Sequence, residues 1–390
     1  MDTVRGAAQA ERSANQVACL RLLAGTDDPQ TVGVISEQTG LSRPTVHAVL
    51  DDLLETGLVV ATDPSTVGPG RPARAFRFAR EAGLVAGVDL GPRGARAIIC
   101  DLSGRRLGYT ELKPDRRGGV SVIQRAIHTV AEESSVDLER LRAIGVALPG
   151  VIETNGQLRA SLALPELVGL PVADLVSQDL GRPVAVDNDI KLAALAEQRG
   201  GAGRGYSDVV YLQIGHRLSV SIVLNGVIRQ GRHRLAGELG AQRGMRWTRN
   251  AQRGQLTWTS QPTGEAVLRA AAAGDADAQA EIEDFCAQIA VRVATVLLVV
   301  DPEIVVVRGG LPPESDVLLR PLEAAVEKEL VFPERPPFVS SALGREAVVL
   351  GAVGTAFDHF SSGIYQVHGF PSPWTRITHD IPHSLERTTK

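Results

Sequence analysis

Cysteine is scarce in this chain, with three residues in a sequence of 390. Cys19, Cys100 and Cys286 each stand alone in apolar surroundings, so they form neither a disulfide framework nor a metal-binding spacing. The eight histidines are scattered as well, and a tetrahedral zinc site needs four ligands, usually thiolates and imidazoles. We therefore expect no bound metal and a reducing, cytoplasmic setting.

Long hydrophobic runs and a dominant charge are also missing. The longest apolar run, near 289–300, is shorter than the roughly 20 residues that cross a bilayer, and it contains Arg292. Residues 1–12 are polar and alanine-rich and do not resemble a secretory leader. The formal net charge of −4 gives no general attraction to nucleic acid or to membranes. We expect a protein without a membrane partner.

The first 80 residues predict a helix-turn-helix. Apolar residues at helical spacing indicate a helix over 13–23, and Thr31 and Ser42 are suited to cap helices over 32–38 and 43–55. Two helices joined by a short glycine-containing turn form this unit. The polar side chains that stay outward at the start of the third helix are Ser42, Arg43, Thr45 and His47. In such motifs this end enters the major groove of duplex DNA and reads base edges.

A wing is predicted after the third helix. Strands over 58–62 and 75–78 flank a long tip, from which Arg71 and Arg74 can reach a minor groove or phosphates. The head as a whole has eight arginines and no lysine against nine acidic residues, so its positive field is expected to be local. The arginines of the wing strip are Arg71, Arg74, Arg77 and Arg80. The alternative interpretation is a plain three-helix bundle with a flexible linker.

The rest of the chain repeats one order of elements. Three strands, a helix, a strand and a helix are predicted once from 84 and again from 208. A hydrophobic content of 44% gives each such domain enough material for a core. We expect a head over 1–80 and a larger α/β domain over 81–390, with two similar lobes around a cleft. The lobes are predicted at about 84–200 and 201–365, and the tail after 363 is expected on the surface.

A polar pair, Asn188-Asp189, stands where a strand over 183–187 meets a helix over 190–197. Ligands commonly bind at the carboxyl ends of parallel strands. Asp189 has two interpretations. It is a carboxylate that binds a ligand hydroxyl, the cap of the following helix, where its charge is favourable, or both.

The strings GPGRPA, VAGVDLG, IGVALPGVI, VDNDIKLAALAE, NGVIRQG, AGELG, DPEIVVVRGG and GAVGTAF together resemble the ROK family (repressor, open reading frame, kinase) over nearly the whole chain. The resemblance implies an α/β protein in which a winged helix-turn-helix precedes a two-lobe actin-like (ribonuclease H-like) domain. The family contains sugar kinases, which have the actin-like domain alone, and transcriptional regulators, which also have the DNA-binding head. This chain resembles the regulators.

Both turns that hold ATP phosphates in the kinases are altered in this sequence. The Asp-x-Gly-Gly-Thr turn is matched by DLGPR over 89–93, and Pro92 has no N–H with which to hold an anion. The Gly-Thr-Gly turn is matched by Gly215-His216-Arg217. Arg93 and Arg217 have two interpretations, attraction of an anion or a structural role in a surface turn, and we expect the structural role. We expect no catalytic residue and no cofactor.

The family's sugar-binding residues are partly retained. Asn188-Asp189 matches the kinase pair that contains the catalytic base, and Glu238 matches an acceptor of sugar hydroxyls. The family's histidine and asparagine are replaced by Ala241 and Glu166. The segment over 243–260 has none of the cysteines that bind zinc in the family, and its tryptophans, Trp247 and Trp258, are expected to fill that space by packing.

The sequence therefore predicts a cytoplasmic DNA-binding transcriptional regulator that represses carbohydrate-related genes. We expect it to bind a double-stranded operator as a homodimer or homotetramer, paired through the region of 275–300. A sugar-like effector is expected in the cleft against Asn188, Asp189 and Glu238. The alternatives are a sugar kinase with an appended head, which intact glycine turns would favour, and an architectural DNA binder with a vestigial pocket. Ligand-dependent release of DNA would distinguish the effector-gated regulator from the architectural DNA binder.

Overall fold

The structure is a computed structural model that describes residues 2–62, 74–114, 118–215, 217–242, 246–249, 251, 255–308, 316–332 and 334–379. Its internal contacts divide the chain into two compact units. The first unit comprises Met1–Val146, Val172–Ala185 and Ala352–Lys390, and the second comprises Ala147–Pro171 and Val186–Gly351.

The head is a winged helix-turn-helix at the start of the first unit. Its elements are α1 (Asp2–Ala24), β1 (Gln30–Thr31), α2 (Val32–Thr39), α3 (Arg43–Glu55), β2 (Val59–Thr62) and β3 (Ala75–Phe78). The strands form a small sheet in the order β1-β3-β2. Helix α1 begins well before the predicted 13, and β1 was not predicted, whereas α3 has the predicted bounds. The tip of the wing, including Arg71, lies outside the described residues.

Short local signals fix the ends of the two central helices. The hydroxyl of Thr31 accepts a hydrogen bond from the Val34 N–H at the start of α2, and Gly40 ends that helix with a left-handed φ of 73°. Ser42 caps α3 by accepting from the Thr45 N–H. The buried side of α3 is formed by Val46, Val49, Leu50 and Leu53. These caps and apolar positions place α3 against the head's core with its first turn outward.

A five-stranded sheet follows the head. Its elements are β4 (Leu84–Gly91), β5 (Gly94–Asp101), β6 (Arg106–Leu112), α4 (Val120–Glu133), β7 (Leu141–Leu148), the small hairpin β8 (Val151–Ile152) and β9 (Leu158–Ala160), α5 (Val172–Leu180) and β10 (Val184–Asn188). Strands β4, β5 and β6 are antiparallel neighbours, and the order across the sheet is β10-β7-β4-β5-β6. The last residues of β7 and β10 belong to the second unit, where β10 leads directly into α6 (Asp189–Gly200).

A second sheet has the same topology. Its elements are β11 (Val209–Ile214), β12 (Leu218–Leu224), β13 (Val227–Ile228), α7 (Gly264–Ala272), α8 (Ala276–Val300), β14 (Ile304–Arg308), α9 (Asp316–Glu327) and β15 (Phe338–Ser340). The order is β13-β12-β11-β14-β15. In both sheets, therefore, the third, second, first, fourth and fifth strands are neighbours in that order, which confirms the predicted repeat. Asn225 and Gly226 both have positive φ, as a two-residue hairpin turn requires.

The core of the second sheet follows the alternation of its strands. Val210, Leu212 and Val305 face helices α7, α8 and α9, whereas Val209 and Tyr211 face the opposite side. Trp247 is buried in the same core and Trp258 packs against it, with its ring 5.0 Å from that of Phe285. The expectation that the tryptophans fill this space by packing is thus confirmed.

The carboxyl-terminal part of the chain corrects one expectation. Helix α10 spans Ala347–Tyr365, and the tail after 363 contains a further helix, α11 (Trp374–His379), which is packed rather than laid on the surface, because Trp374 and Ile377 are buried. The Trp374 indole N–H donates to Asp358 at 3.1 Å. Buried indoles usually find such a partner. A six-residue helix has too few residues for its periodicity to be visible in the sequence.

Within the described part of the chain, one helical window, Gly344–Tyr365, is long and apolar enough to cross a membrane, and 67% of it is buried inside the structure. Such burial is typical of the core helix of a globular protein.

Candidate functional sites

The exposed end of α3 is the first candidate site. Ser42, Arg43 and His47 are exposed, and Thr45 is half-buried. The Ser42 hydroxyl lies 2.8 Å from that of Thr45 and also caps the helix, so it has a structural role in addition to any contact with DNA. Each of these predicted residues lies on the first turn and a half of the helix, which is the part that reads base edges in helix-turn-helix proteins.

Helix α1 holds the recognition helix in place. The Arg12 guanidinium donates two hydrogen bonds to the Asp52 carboxylate, at 2.9 and 2.6 Å, and Gln16 donates a third at 3.2 Å. The hydrogen bond from Arg12 holds the pKa of Asp52 below its usual value. These contacts lie on the last turns of α3, away from the turn that carries Arg43.

The positive field of the wing strip is weaker than the sequence suggests. Arg77 is paired with Glu81, and Arg80 is paired with Asp27 at 2.7 Å. Arg74 is exposed, and its guanidinium carbon lies 5.4 Å from the centre of the Phe76 ring. Two of the four arginines are therefore paired with acidic residues of the head. Of the arginines in the strip that the structure describes, Arg74 is the one with an exposed charge.

The second candidate site is a polar cluster at the start of α6, in the second unit. Asn188 is 4% exposed and caps α6, because its side-chain oxygen accepts from the Lys191 N–H at 3.1 Å. Its amide donates to the Gly150 carbonyl at 2.8 Å. Both ends of the Asn188 side chain are thus occupied by structural bonds. The interpretation of Asp189 as the helix cap is wrong, because Asn188 has that role and Asp189 is the first residue of the helix.

Asp189 lies beside this cap and is half-buried. One of its carboxylate oxygens accepts the Ile190 N–H at 2.8 Å. The negative charge of a carboxylate in the first turn of a helix is favourable for the helix dipole. The predicted role of Asp189 in binding a ligand hydroxyl remains a prediction.

A loop from the second sheet closes over the cluster. Arg234, which has a positive φ of 61°, donates to the Ile152 carbonyl at 2.9 Å and to Asp187 at 3.2 Å. Gln230 donates to the other Asp187 oxygen at 2.8 Å. Asp187 also accepts the Asn188 N–H at 2.7 Å. The Asp187 carboxylate consequently accepts three hydrogen bonds and holds the loop in position.

Lys191 and Glu238 complete the cluster. Lys191 is 3% exposed, and its ammonium donates to the Arg234 carbonyl at 3.3 Å. Burial lowers the pKa of Lys191, and the charges of Asp187 and Glu238 offset part of that shift. Burial raises the pKa of Glu238, and the charge of Lys191 offsets part of it.

Sequence reasoning found Asn188, Asp189 and Glu238 but missed three members of this cluster. Gln230 and Arg234 lie on a loop far away in sequence, and no local pattern joins them to α6. Lys191 did have a visible signal, since it is a single charge inside the apolar run of α6. Glu166 and Ala241 are both exposed.

The first altered phosphate turn is a tight hairpin in the first unit. Gly91 pairs with Gly94, so that Pro92 and Arg93 are the two turn residues. A Cβ on Gly94, whose φ is 123°, would overlap the Leu112 carbonyl oxygen. The Asp89 carboxylate lies 3.2 Å from the guanidinium of Arg96. A cation of the protein itself therefore contacts the aspartate of this turn.

The second altered turn joins β11 to β12, and His216 lies outside the described residues. The Gly215 N–H donates to the Arg217 carbonyl at 3.1 Å, and the Arg217 guanidinium donates to the Leu162 carbonyl at 3.2 Å. Burial lowers the pKa of Arg217. These contacts favour the structural role that the sequence predicted for Arg217.

The zinc-binding possibility concerns a segment that is described only in part. Across the residues with assigned positions, no group of three or more His, Cys, Asp and Glu side chains is placed to hold a metal ion. The absence of zinc stays a prediction, based on the composition of 243–260.

Two family models match the chain. The model of the ROK family matches residues 85–358, and the model of the IclR helix-turn-helix domain matches residues 17–63. The first match covers more than half of the chain and includes both five-stranded sheets. The second runs from α1 to β2 and includes the whole of α3.

Individual relatives agree with these matches. The xylose repressor of Bacillus spizizenii is 20% identical over 364 residues, which cover 86% of this chain and 92% of that protein. The structure of a ROK family transcriptional regulator, a homologue of the E. coli MLC protein, has a TM-score of 0.64 at 20% identity and covers 94% of this chain and 98% of its own. A ROK family glucokinase from Streptomyces griseus, in complex with glucose and AMPPNP, has a TM-score of 0.59 at 25% identity, with 71% and 100% covered. The chain therefore belongs to the ROK family, and a helix-turn-helix head precedes its ROK domain.

Proposed function

We propose that this chain is a sugar-responsive transcriptional repressor. Residues 1–80 form the DNA-binding domain, and residues 81–390 form the domain that binds the effector and pairs the subunits. The observation that carries the proposal is the head: α3 is capped at Ser42, packed on its apolar side and exposed at the end that bears Arg43 and His47. The glucokinase structure covers 71% of this chain, whereas the named repressor covers 86% of it.

The effector is proposed to be a polyhydroxylated, sugar-like molecule that binds against Asp189 and Glu238. Asn188 holds the start of α6 in position, through its bonds to Lys191 and Gly150. Carboxylates suit sugar hydroxyls because each oxygen accepts a hydrogen bond in a defined direction. An effector that binds the DNA-free protein more tightly weakens DNA binding, and operator DNA must weaken effector binding by the same factor.

We further propose a homodimer, or a homotetramer built from it, that pairs through α8. Val291, Leu298 and Val299 are 53%, 66% and 79% exposed, and their spacing places them on one face of the helix. The opposite face contributes Val293, Ala294 and Leu297 to the core. A helix with a second apolar face on the surface is typical of an interface. Pairing would present two copies of α3 to a two-fold operator.

The direct test is selection of duplexes by the full-length protein from a randomised DNA pool, followed by fluorescence anisotropy at fixed salt. We expect one enriched, two-fold symmetric sequence, and a weaker affinity for it in Arg43→Ala. The matched control is Arg269→Ala, because Arg269 is an exposed arginine of the second unit. The proposal fails if no sequence is enriched, or if Arg43→Ala and Arg269→Ala bind the selected duplex equally well.

A sugar kinase is the second candidate function, favoured by the Asn188-Asp189 pair and the likeness to glucokinase. Phosphoryl transfer depends on positioning and electrostatic stabilisation. In the first turn Pro92 has no N–H to give to a phosphate, and in the second the Gly215 N–H donates to the Arg217 carbonyl. We therefore expect no ATP-dependent phosphorylation. A coupled assay across common hexoses that gives more than about 1 turnover per second, in the usual kinase range, would establish the kinase instead.

A further inference from the structure

Lys191 is a buried cation with few hydrogen-bond partners. Lys191 is 3% exposed, and its ammonium makes one long hydrogen bond, at 3.3 Å, to the Arg234 carbonyl. An ammonium has three donors. No ion pair and no second hydrogen bond of this ammonium is present among the residues that the structure describes. Burying a charge is unfavourable unless it is paired and hydrogen-bonded, so two donors of Lys191 are available to a partner from outside the protein.

Glu238 is the complementary group. It lies on the 230–238 loop, whose Arg234 carbonyl accepts the Lys191 hydrogen bond, and its carboxylate forms neither an ion pair nor a hydrogen bond within the described part of the chain. Glu238 is also half-buried, so its side chain is open on one side. Asp187, the other carboxylate that acts on Lys191, differs because Arg234, Gln230 and a backbone N–H already donate to it.

We propose that Lys191 and Glu238 together bind one hydroxyl group of the effector. The Lys191 ammonium donates to the hydroxyl oxygen, and the Glu238 carboxylate accepts the hydroxyl proton. A hydroxyl suits the pair because it is both an acceptor and a donor. The inference rests on the proposed function and deepens it, since it makes Lys191 a specificity-determining residue for the effector.

The charges around the pair select the class of effector. Glu238, Asp187 and Asp189 are acidic, and the cations Lys191 and Arg234 do not outnumber them. A ligand that brought a carboxylate or phosphate to this position would meet Glu238 as a like charge. A neutral sugar hydroxyl satisfies both partners without adding charge. The site is therefore expected to prefer neutral sugars to sugar acids and sugar phosphates.

The test is calorimetry of the full-length protein with neutral sugars, namely xylose, glucose and the monodeoxyglucoses, and with glucuronate and glucose 6-phosphate. We expect a neutral sugar to bind the wild type best. Lys191→Met and Glu238→Leu should each weaken it about ten- to a hundredfold, as expected for a hydrogen bond to a charged group. The double variant should lose less than the product of the two losses, because both groups hold the same hydroxyl. One monodeoxyglucose should bind the wild type much more weakly than glucose does. The same monodeoxyglucose should bind Lys191→Met almost as tightly as glucose binds that variant.

Controls separate this inference from the proposed function. Lys328→Met, at an exposed lysine of the same unit, should bind like the wild type, and thermal melting should show that each variant is folded. Unchanged sugar binding by folded Lys191→Met overturns the inference and leaves the proposed function standing. The inference is also overturned, and the proposed function left standing, if the acidic sugars bind best, or if the affinity losses of the two substitutions multiply in the double variant. If no sugar binds the wild type, the effector part of the proposed function fails and this inference fails with it.

Discussion

Helices α3 and α6 both begin at a polar capping residue, but the start of α3 is exposed and the start of α6 is largely buried. Ser42 is exposed at the start of α3, whereas Asn188 is 4% exposed at the start of α6. In the first turn of α3, Arg43 is exposed, whereas in the first turn of α6, Lys191 is buried. An exposed helix end can dock on a polymer, whereas an enclosed one suits a small molecule with few, precisely placed contacts.

The first way to test this comparison is to change how many copies of α3 act together. Replacing Leu298 and Val299 of α8 by Asp should convert the oligomer to a monomer, because charges do not tolerate an apolar interface. Losing one of two linked half-site contacts should lower operator affinity by about 10²–10⁴-fold. Light scattering would report the mass, and anisotropy would report the affinity for the selected duplex.

The control for this change is Val227→Asp, at a valine that is 58% exposed on the β12–β13 hairpin. It adds the same charge to an exposed apolar position outside α8. A double Asp variant that keeps both its mass and its affinity would show that α8 does not pair the subunits.

The second prediction concerns α3 and the wing directly. Arg71→Ala should weaken binding to the selected duplex by about 1–3 kcal/mol if Arg71 makes a good groove contact, and Arg43→Ala by a similar amount. Anisotropy at fixed salt measures both, with Arg269→Ala as the control for lost surface charge. If the Arg43→Ala, Arg71→Ala double variant binds the selected duplex as tightly as the wild type, the assignment of DNA recognition to the head is wrong.

Much of α3 could be predicted because its signals are local. Thr31, Gly40 and Ser42 fix helix ends within a few residues of themselves, and the apolar spacing fixes the buried side. The cluster at α6 was only half predictable. Asn188 was found from its place between a strand and a helix, and Glu238 through the family resemblance, but the loop that brings Arg234 to Asp187 depends on pairing across 47 residues. No local pattern contains that information.

Short or weakly patterned elements were missed for a related reason. β15 has three residues and α11 has six, too few for a period of 2 or 3.6 to be recognised. Charge pairing was missed as well. The sequence suggested a positive wing strip, but the acidic partners of Arg77 and Arg80 become visible only once the head is folded.

The third prediction compares the two caps by stability. Asn188→Ala should lower the free energy of unfolding by about 1–3 kcal/mol, because it leaves a buried N–H of α6 and the Gly150 carbonyl without partners. Urea unfolding followed by tryptophan fluorescence suits this test, since Trp247 and Trp258 lie in the second unit. Asn188→Asp keeps the capping oxygen and loses the amide donor, so it should recover only part of the loss. Full stability in Asn188→Ala would mean that the buried cap is dispensable.

The smallest expected effect belongs to the exposed cap, Ser42. Ser42→Ala should cost about 0.5–1 kcal/mol of stability, in the lower part of the range for lost N-caps, because solvent can replace the hydroxyl. Ser42→Asp keeps the cap and adds charge beside the phosphates, so it should preserve stability while weakening DNA binding. Thr45→Val is the matched control, because it removes the hydroxyl that contacts Ser42 and leaves the cap on the Thr45 N–H. Urea unfolding and anisotropy together separate the two roles of Ser42. If Ser42→Asp binds DNA as tightly as the wild type, the start of α3 does not approach the phosphates, and the contrast between an exposed reading helix and an enclosed one would have to be abandoned.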